Sequence, residues 1–364
     1  MRPTVCEVDL GAVAHNVSKL RDRVAPTPLC AVVKADGYGH GAIEVARVAL
    51  EAGATWLAVA MAEEAAPLRA ADIDVPILVL SEPDPTSVDE LVALGLVATA
   101  YTSDTIAALD AASAAAGVVT EVHLNLDTGM RRLGAEPEQI DALVDQVNAS
   151  DNLRLGAVWT HCPVADEPDN PFTDSQLSRF DQAAGAAGVP THVANSATAL
   201  RFPDREALMV RCGISIYGID PDVALAGMID LRPALSLKSS VRFVKPIEAG
   251  ESVAYGHRWT AAEPTQIATV PIGYADGIRR DSGLRGREVL IRGQRYPIVG
   301  VVTMDNLLVD VGANSTVEVG DEVVLIGTQG DDMISTADVA ETLETIPYEV
   351  VCAIGPRVPR QYVT

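Results

Sequence analysis

Residues 121–161 read EVHLNLDTGMRRLGAEPEQIDALVDQVNASDNLRLGAVWTH. Two apolar runs, 121–126 and 154–161, flank a stretch over 136–147 whose apolar residues recur with helical spacing. A strand, a helix and a second strand in one short segment are typical of a parallel βαβ unit. This stretch therefore predicts an α/β fold.

The same alternation extends on both sides of this unit, from about residue 10 to residue 230. Apolar, strand-like runs alternate with amphipathic stretches, most of which end at glycine. The runs lie at 28–35, 56–61, 76–82, 96–101, 121–129, 154–161, 191–197 and 208–218. Eight βα units are the number that closes a barrel. We predict an N-terminal (β/α)8 TIM-like barrel over residues 1–230, preceded by a helix that begins near Asp9.

After Pro233 the pattern changes to closely spaced β-type runs. Turn residues separate these runs, and a helical pattern interrupts them only at 335–345. The runs LSLKSSVRFVKPI at 235–247 and YEVVCAIG at 348–355 are each interpreted as one of the strands. We predict a C-terminal, mostly-β domain over residues 231–364.

Composition limits the function before any motif is considered. The 364 residues carry 27 Lys and Arg against 50 Asp and Glu, a formal net charge of −23. Nucleic-acid binding needs a dense cationic surface, so this balance argues against it. The five cysteines include no CxxC pair, which supports neither a metal site nor a disulfide framework. Without a signal-peptide pattern or a membrane-length apolar run, we expect a cytoplasmic location.

Reactive side chains of (β/α)8 barrels gather where strands end and the following loops begin. Polar residues of this sequence fall in those places. They are Lys34 after the first strand, Asp127 and Arg132 after the fifth, His161 after the sixth, Asn195 and Ser196 after the seventh, and Arg211 on the eighth. Stability alone does not require so many polar groups at one rim. We therefore expect the functional site there.

The segments that carry these residues resemble the motifs of the bacterial alanine racemase family, in that family's order. They are VVKADGYGHG (32–41), LDTGMRRLG (126–134), WTHCPVADE (159–167), HVANSA (192–197), VRCGISIYG (210–218), SVAYGHRW (252–259), PIGYADG (271–277), TMDNLLVD (303–310) and YEVVCAIGPRVPR (348–360). The resemblance covers nearly the whole chain. It implies an isomerase that interconverts L- and D-alanine with pyridoxal 5'-phosphate. Both the biosynthesis of D-alanine for peptidoglycan precursors and the breakdown of alanine are open as its role.

The resemblance assigns the cofactor's surroundings. Lys34 would hold the cofactor aldehyde as a Schiff base, which suits an amine at a partly desolvated strand end. His161 would stack on the pyridine ring, and Arg211 would face its nitrogen. Because a guanidinium keeps its proton, that nitrogen would stay unprotonated and be a weaker electron sink. The remaining cofactor-binding residues, expected around the phosphate, are Tyr38, Asn195, Ser196, Gly213, Ile214 and Tyr348.

Several of the candidate residues also have a structural alternative. Lys34 suits a lysine with a buried stem and an exposed head, and Tyr38 suits packing within its loop. His161 suits a satisfied polar residue at a strand end, and Tyr348 a half-buried strand residue. Asn195 also suits a helix cap, and Arg211 suits a salt bridge at the barrel end. Tyr255, without the resemblance, would be interpreted as a surface aromatic of a β-strand.

Racemisation removes the α-proton from one face and returns a proton to the other, so both faces need an acid/base group. The resemblance implies Lys34 on one face of the external aldimine and Tyr255 of a partner subunit on the other. It therefore implies a homodimer with composite active sites. Arg132 and Met304 are expected to bind the substrate carboxylate, and Tyr274 to lie on the path by which substrate arrives.

Two positions depart from the commonest family pattern. Asn125 stands where many members have a lysine that carries a carbamate and positions the arginine matched by Arg132. Since asparagine cannot form a carbamate, we expect a bound chloride near Asn125 and Arg132. Val301 stands where an arginine is usual, which leaves the charge of the substrate path and the substrate range open.

Other functions of the same barrel superfamily are open on this sequence. They are a broad-specificity amino acid racemase, a pyridoxal-phosphate-dependent decarboxylase and a non-catalytic pyridoxal-phosphate carrier. Arg211 speaks against the decarboxylase, which usually pairs the ring nitrogen with an acid. A carrier can consist of the barrel alone, whereas this chain continues into a domain that contains Tyr255.

Overall fold

The structure is a computed structural model that describes residues 2–364. It divides into two compact units, which we call the barrel unit and the β unit. The barrel unit comprises 12–37 and 41–233, and the β unit comprises 2–11, 38–40 and 234–364. The domain limits of 1–230 and 231–364 stay a prediction, because compact packing also assigns two short N-terminal segments to the β unit.

Strands and helices follow one another along the described residues in this order. The strands are β1 (Val5–Asp9), β2 (Leu29–Val32), β3 (Trp56–Val59), β4 (Ile77–Val79), β5 (Ala98–Ala100), β6 (Thr120–Asn125), β7 (Leu153–Trp159), β8 (Thr191–His192), β9 (Val210–Cys212), β10 (Leu235–Ser240), β11 (Phe243–Ile247), β12 (Ser252–Val253), β13 (Trp259–Thr260), β14 (Thr265–Val270), β15 (Glu288–Ile291), β16 (Gln294–Pro297), β17 (Leu307–Asp310), β18 (Glu322–Gln329), β19 (Asp332–Ile334) and β20 (Arg360–Val363).

The helical segments are α1 (Leu10–Val24), α2 (Lys34–Tyr38), α3 (Ala42–Glu51), α4 (Ala62–Ala70), α5 (Val88–Ala93), α6 (Ser103–Ala116), α7 (Ile140–Asn148), α8 (Phe172–Ala184), α9 (Ser196–Arg201), α10 (Thr336–Leu343) and α11 (Pro347–Cys352). Short 3-10 helices occur at Pro137–Gln139, Gly185–Ala187, Ile214–Tyr217, Val223–Leu225, Tyr255–His257, Tyr274–Asp276 and Ser282–Arg285. No helix within 2–364 is both long enough and apolar enough to span a bilayer.

The barrel unit is a closed ring of parallel strands. Its two sheets have the orders β4-β3-β2-β9 and β5-β6-β7-β8. Leu78 bridges to Val97 at one seam, and the Arg211 N–H donates to the Ala194 carbonyl at 2.8 Å across the other. The predicted (β/α)8 architecture is therefore confirmed.

Local sequence explains the strands and helices of the barrel. The strands β2, β4 and β5 are buried at every position, as expected for parallel strands covered by helices on the outside. The helix α6 begins after Thr102, whose hydroxyl accepts the Thr105 N–H, and ends at Gly117 with φ 67°. A side-chain cap and a left-handed glycine are the usual start and stop of a helix.

The β unit is built around β1, which the sequence interpretation did not predict as a strand. Its main sheet has the order β16-β15-β18-β10-β1-β20, with β19 on β18. Cys6 of β1 lies opposite Leu237 in an antiparallel pair and opposite Arg360 in a parallel pair. Smaller sheets, β11-β14-β17 and β12-β13, complete the mostly-β character that was predicted.

Two local predictions in the β unit are wrong. The run 348–355 contains the helix α11 and not a strand. Pro347 occupies the first turn, where its fixed φ suits a helix and its missing N–H leaves no bond unmade. A short apolar run has too few residues for periodicity to separate helix from strand. The run 235–247 contains two strands, β10 and β11, which belong to different sheets.

Candidate active site

Lys34 follows β2 at the start of the left-handed turn α2. The three residues after it have φ of 53°, 51° and 62°. This conformation costs roughly 1 kcal/mol or more for each non-glycine residue, so other contacts must hold it. Asp36 Oδ1 accepts the Ala42 N–H at 2.9 Å, and Glu64 Oε1 accepts the Ala35 N–H at 2.7 Å. These bonds fix the turn that follows Lys34.

Three predicted site residues lie close enough to His161, which follows β7, for their charges to act on it. Burial, then the positive charges of Arg211, Arg132 and Lys34, lower the pKa of the imidazole to about 3. At neutral pH the ring is therefore uncharged. A neutral imidazole among three cations offers a flat face to another planar ring.

Arg211 is the most deeply buried of these cations, with 3% of its surface exposed. Its Nη2 donates to the Thr160 carbonyl at 2.9 Å, and its guanidinium lies 4.6 Å from the centre of the Trp159 ring. Burial lowers its pKa to about 10, so the group stays charged at pH 7. No described carboxylate forms a salt bridge with it, so the salt-bridge alternative is wrong.

The hydrogen bonds of Arg211 use only its two terminal nitrogens. Nη1 donates to the Nδ1 and carbonyl of His192 at 2.5 and 3.2 Å, and Nη2 to the carbonyls of Thr160 and Val193. Among residues 2–364, none accepts a hydrogen bond from Nε. The remaining donor is therefore available to an acceptor that the chain does not supply.

A line of buried side chains connects Arg211 to Glu121, and we call it the histidine relay. His192 Nε2 lies 3.0 Å from His123 Nδ1, and His123 Nε2 lies 2.9 Å from Glu121 Oε1. A guanidinium can only donate, so His192 must accept at Nδ1 and carry its proton on Nε2. His123 then accepts at Nδ1 and donates Nε2–H to Glu121. Every bond of the relay thus has one direction, from Arg211 outward.

Burial keeps both imidazoles of the relay neutral, because it lowers the pKa of His123 and of His192. The hydrogen bond from His123 lowers the pKa of Glu121, which also pairs with Arg154. A Cβ at Gly156 would lie 2.4 Å from Glu121 Oε1, so only glycine leaves room for the carboxylate.

The sequence interpretation missed the relay. The available signal was a histidine in the middle of each of two buried strand runs, in EVHLN and in THVAN. Buried polar side chains on apolar strands need partners, and two of them on nearby strands are candidates for each other.

The loops after the seventh and eighth barrel strands are tied to each other. Ser196 Oγ accepts the Gly213 N–H at 3.0 Å. Asn195 caps α9, since its Oδ1 accepts the Thr198 N–H at 3.0 Å, so the cap alternative for this residue is confirmed. Ile214 begins a 3-10 helix, and the first N–H groups of a helix have no partner within it. Two helix starts therefore meet through the Ser196–Gly213 bond.

Arg132 is exposed and forms no ion pair with any described carboxylate. Its neighbour Arg131 pairs with Glu136 at 2.7 Å. Asp127 accepts the N–H groups of Gly129 and Arg131, which shapes the loop. Asn125 is buried at the end of β6. The loop after the fifth strand thus presents one guanidinium whose charge the chain leaves unbalanced.

In the β unit, Tyr255 is 72% exposed. It lies in the turn Tyr255–His257, between Ala254 at φ 57° and His257 at φ 46°. The alternative interpretation as a strand residue is therefore wrong. A strained, exposed turn holds this aromatic side chain away from the β unit's own core.

Tyr274 and Met304 lie on adjacent loops of the β unit and are both exposed. The Tyr274 N–H donates to the Thr303 carbonyl at 3.0 Å, and the Ala275 N–H to the Met304 carbonyl at 3.1 Å. A Cβ at Gly273 would lie 2.3 Å from the Thr303 oxygen, so this close approach requires glycine.

Two further predicted residues meet in the β unit. The rings of Tyr38 and Tyr348 lie 6.3 Å apart, tilted by 51°. Val301 is buried, so its side chain packs in the core of this unit. The two tyrosines form one local group, whereas Tyr255 stands apart in its own turn.

The family comparison covers both units. Residues 8–221 match the family described as "Alanine racemase, N-terminal domain", and residues 234–362 match "Alanine racemase, C-terminal domain". The chain belongs to the alanine racemase family.

Individual members of the alanine racemase family agree with this over their full length. A protein of Symbiobacterium thermophilum named alanine racemase is 45% identical over 369 residues, which cover 100% of this chain and 97% of that one. The crystal structure of alanine racemase from E. faecalis has a TM-score of 0.93 at 39% identity, covering 100% of this chain and 98% of that one. The crystal structure of alanine racemase from D-cycloserine producing Streptomyces lavendulae has a TM-score of 0.94 at 37% identity, covering 100% of this chain and 98% of that one.

These matches confirm the predicted family and the predicted fold. They do not favour the decarboxylase or the carrier. The barrel unit brings together Lys34, Arg132, His161 and Arg211, and separately the loops of Ser196 and Gly213. The roles of these residues in a racemase are predictions, and they are developed below as such.

Proposed function

We propose that the chain is an alanine racemase that interconverts L- and D-alanine and uses pyridoxal 5'-phosphate at the barrel rim. The observation that carries the proposal is the neutral His161 beside Lys34, Arg132 and Arg211. An amine, a flat neutral ring and two guanidiniums are the groups needed around an anionic, aromatic aldehyde and an amino acid carboxylate.

The residues present fit this cofactor. The unused Nε of Arg211 matches a pyridine nitrogen, which is an acceptor only. The linked helix starts at Ser196 and Ile214 offer N–H groups to a phosphate. Tyr38 and Tyr348 are proposed to add phenolic donors to it, and Lys34 Nζ to hold the aldehyde carbon.

When bound, pyridoxal phosphate supplies an electron sink for the pair left behind when the substrate loses its α-proton. Arg211 limits that sink, because a guanidinium does not give its proton to the ring nitrogen. The histidine relay holds Arg211 in one orientation, so Nε has one direction in which to donate. His161 is proposed to lie against the ring face and to exclude water from it.

Two side chains are proposed to move the proton. The amine of Lys34 takes or returns it on one face of the substrate. The phenol of Tyr255 does so on the other face, from a second copy of the chain. Its exposure supports this assignment, since a tyrosine used by a partner must project from its own chain. The active form is then a homodimer with two composite sites.

The substrate carboxylate is proposed to bind Arg132 and the backbone N–H of Met304. Tyr274, next to Met304, is proposed to line the path of the substrate. We also propose a chloride near Asn125 and Arg132, because no described carboxylate balances that guanidinium. Crystals grown in bromide would show an anomalous peak beside Arg132, and a map without one would remove the anion from the proposal.

The function is tested by incubating the holoenzyme with each of the twenty amino acids, followed by chiral chromatography. We expect D-alanine to form from L-alanine, with α-deuterium incorporated in D2O. A second amino acid racemised at a similar rate would indicate the broad-specificity alternative. No enantiomer formed from any amino acid would overturn the proposal.

A further inference from the structure

The β unit contains a cavity that the proposed reaction does not use. It has a volume of about 70 Å³ and lies between β10, β18, α10 and α11. Leu237, Ile326, Val339 and Leu343 give it apolar walls. A water-sized group needs about 10–15 Å³ measured in this way, so roughly five to seven non-hydrogen atoms would fit.

Arg287 belongs to the lining of this cavity. The residue is only 4% exposed, and burial lowers its pKa to about 10, which leaves it charged at neutral pH. Its Nη2 reaches the Leu325 carbonyl at a long 3.4 Å. In the part of the chain that the structure describes, its buried Nε has no acceptor and no carboxylate lies within ion-pair distance.

The other charged groups at the cavity are already satisfied. Arg279 pairs with Asp281 at 2.7 Å and donates to the Leu343 carbonyl at 2.8 Å. Glu349 is exposed at the rim and accepts a hydrogen bond from the Thr345 hydroxyl. Arg287 is therefore the one cation of the described lining that lacks a counter-charge.

A buried charge without a partner is strongly unfavourable, and nearly all such groups in proteins are paired. The aliphatic side chains of the walls carry no negative charge that could replace an anion. A ligand with one carboxylate and an aliphatic body would pair with the charge of Arg287 and pack against the apolar walls.

We propose that this cavity is a binding site for a small aliphatic monocarboxylate, held by Arg287 through its guanidinium and enclosed by Leu237, Val339 and Leu343. The carboxylate of Glu349 at the rim repels dianions, which makes phosphate or a dicarboxylate a poor occupant. A simple branched acid and an aliphatic α-amino acid share this chemistry. The two differ in an ammonium group, for which Glu349 is the available partner.

The test measures the melting temperature of the holoenzyme with 3-methylbutanoate, valine, 3-methylbutanamide and inorganic phosphate. At roughly ten times its Kd, 3-methylbutanoate should raise Tm by about 2 °C or more, and the neutral amide and phosphate should not. A larger Tm increase with valine than with 3-methylbutanoate would identify an aliphatic amino acid as the ligand. A smaller increase would identify the simple acid.

Variants separate this site from the proposed active site. The Tm increase should vanish in Arg287→Met and in Val339→Phe, which fills the apolar end while it keeps the cation. It should persist in Arg132→Met, which removes the proposed substrate-carboxylate contact. Without ligand, Arg287→Met should melt no lower than the wild type, because an unpaired buried charge is replaced by a chain of similar length.

Three results would overturn the site. The first is a Tm increase that survives in both Arg287→Met and Val339→Phe. The second is an amide that stabilises the protein as much as the carboxylate does. The third is loss of the effect only in Arg132→Met, which would assign the binding to the barrel rim and leave the proposed function intact.

Discussion

The barrel rim and the exposed turns of the β unit differ in how far their functional side chains are buried. At the rim, Arg211 and His161 are enclosed, and the relay gives Arg211 a fixed set of acceptors. In the β unit, Tyr255, Tyr274 and Met304 project from turns into solvent. The side chains of the rim are held by contacts within one chain. The side chains that project from the β unit face solvent and not a site of their own unit.

This difference matches a division of labour between subunits. Enclosed charges do not have to reorient when substrate binds. The rim is therefore suited to bind the substrate and to stabilise charge that develops on it. An exposed tyrosine has no fixed environment until a second surface covers it. In the proposed dimer, one chain supplies the charged half of each site and its partner supplies the phenol.

The largest expected effect is the loss of Lys34. We expect Lys34→Ala to reduce racemisation by at least about 10³-fold, because both cofactor attachment and one proton transfer depend on the same amine. Initial rates with L-alanine, measured by chiral chromatography, check this. Lys19→Ala, an exposed lysine of α1, is the matched control and should keep full activity.

Tyr255→Phe should reduce the rate by about 10²–10⁴-fold without changing the melting temperature, since its side chain is exposed. The division between subunits is tested by mixing this variant with Lys34→Ala under conditions that exchange subunits. Each hybrid dimer then contains one intact site, so roughly a quarter of wild-type activity should return.

If the mixed variants stay inactive while exchange is demonstrated by light scattering of tagged chains, both groups act within one chain. Tyr296→Phe, a partly buried tyrosine in β16, is the control for removing a phenol from the β unit. It should leave the rate unchanged.

Mild acid should lower the stability of the barrel unit through its buried histidines. Burial lowers the pKa of His123, His161 and His192 in the folded state. The unfolded chain takes up protons near pH 6.5 while the folded chain does not, so stability is full above about pH 6.5 and falls as pH decreases. Between about pH 6.5 and 4.5 the histidines dominate this loss.

Melting temperatures over pH 4.5–7.5 check this expectation, and His161→Asn should flatten the profile. His257→Asn, an exposed histidine of the β unit, should leave the slope as it is. A profile that is flat in the wild type would mean that the buried imidazoles are charged in the folded protein.

The smallest effect is expected at the outer end of the relay. Glu121→Gln keeps the shape but removes the charge that accepts from His123. Since Glu121 is partly solvated, we expect a loss of only about 1 kcal/mol in stability and a rate reduced several-fold. The pH profile of kcat should shift, because the relay's proton positions are no longer fixed by a carboxylate.

Arg154→Ala provides the comparison for Glu121→Gln. It removes only the exposed ion-pair partner of Glu121 and should change the rate by less than about twofold. An equal effect of both variants on the pH profile would mean that the surface charge, and not the hydrogen bond to His123, sets the pH dependence of kcat.

Much of the barrel could be predicted, because its information is local. Apolar runs and helical spacing lie within each βα unit, and the rim position of Lys34, His161 and Arg211 follows from the ends of those runs. The motif resemblance then identified the family. The resemblance could not predict the direction of the hydrogen bonds in the histidine relay, because that direction depends on contacts between β6, β8 and β9.

The misses share one cause, which is that distant contacts decide the outcome. The residues of β1 became a strand because β10 and β20 pair with them on both edges. The run at 348–355 has apolar residues that suit either structure, and Pro347 and its surroundings select a helix. The left-handed turn after Lys34 includes Ala35, and alanine gives no sequence signal for a positive φ.

The placement of β1 has a consequence for how the protein is made. Residues 5–9 are synthesised before the whole barrel unit, whereas their parallel neighbour, β20, is synthesised after it. Both edges of β1 therefore stay unpaired while the barrel forms, and the edge that β20 covers stays unpaired longest. An unpaired strand edge is open to wrong partners. Chains stalled on the ribosome before residue 360 would contain a closed barrel and an incomplete sheet, and β20 would later pair with a strand made hundreds of residues earlier.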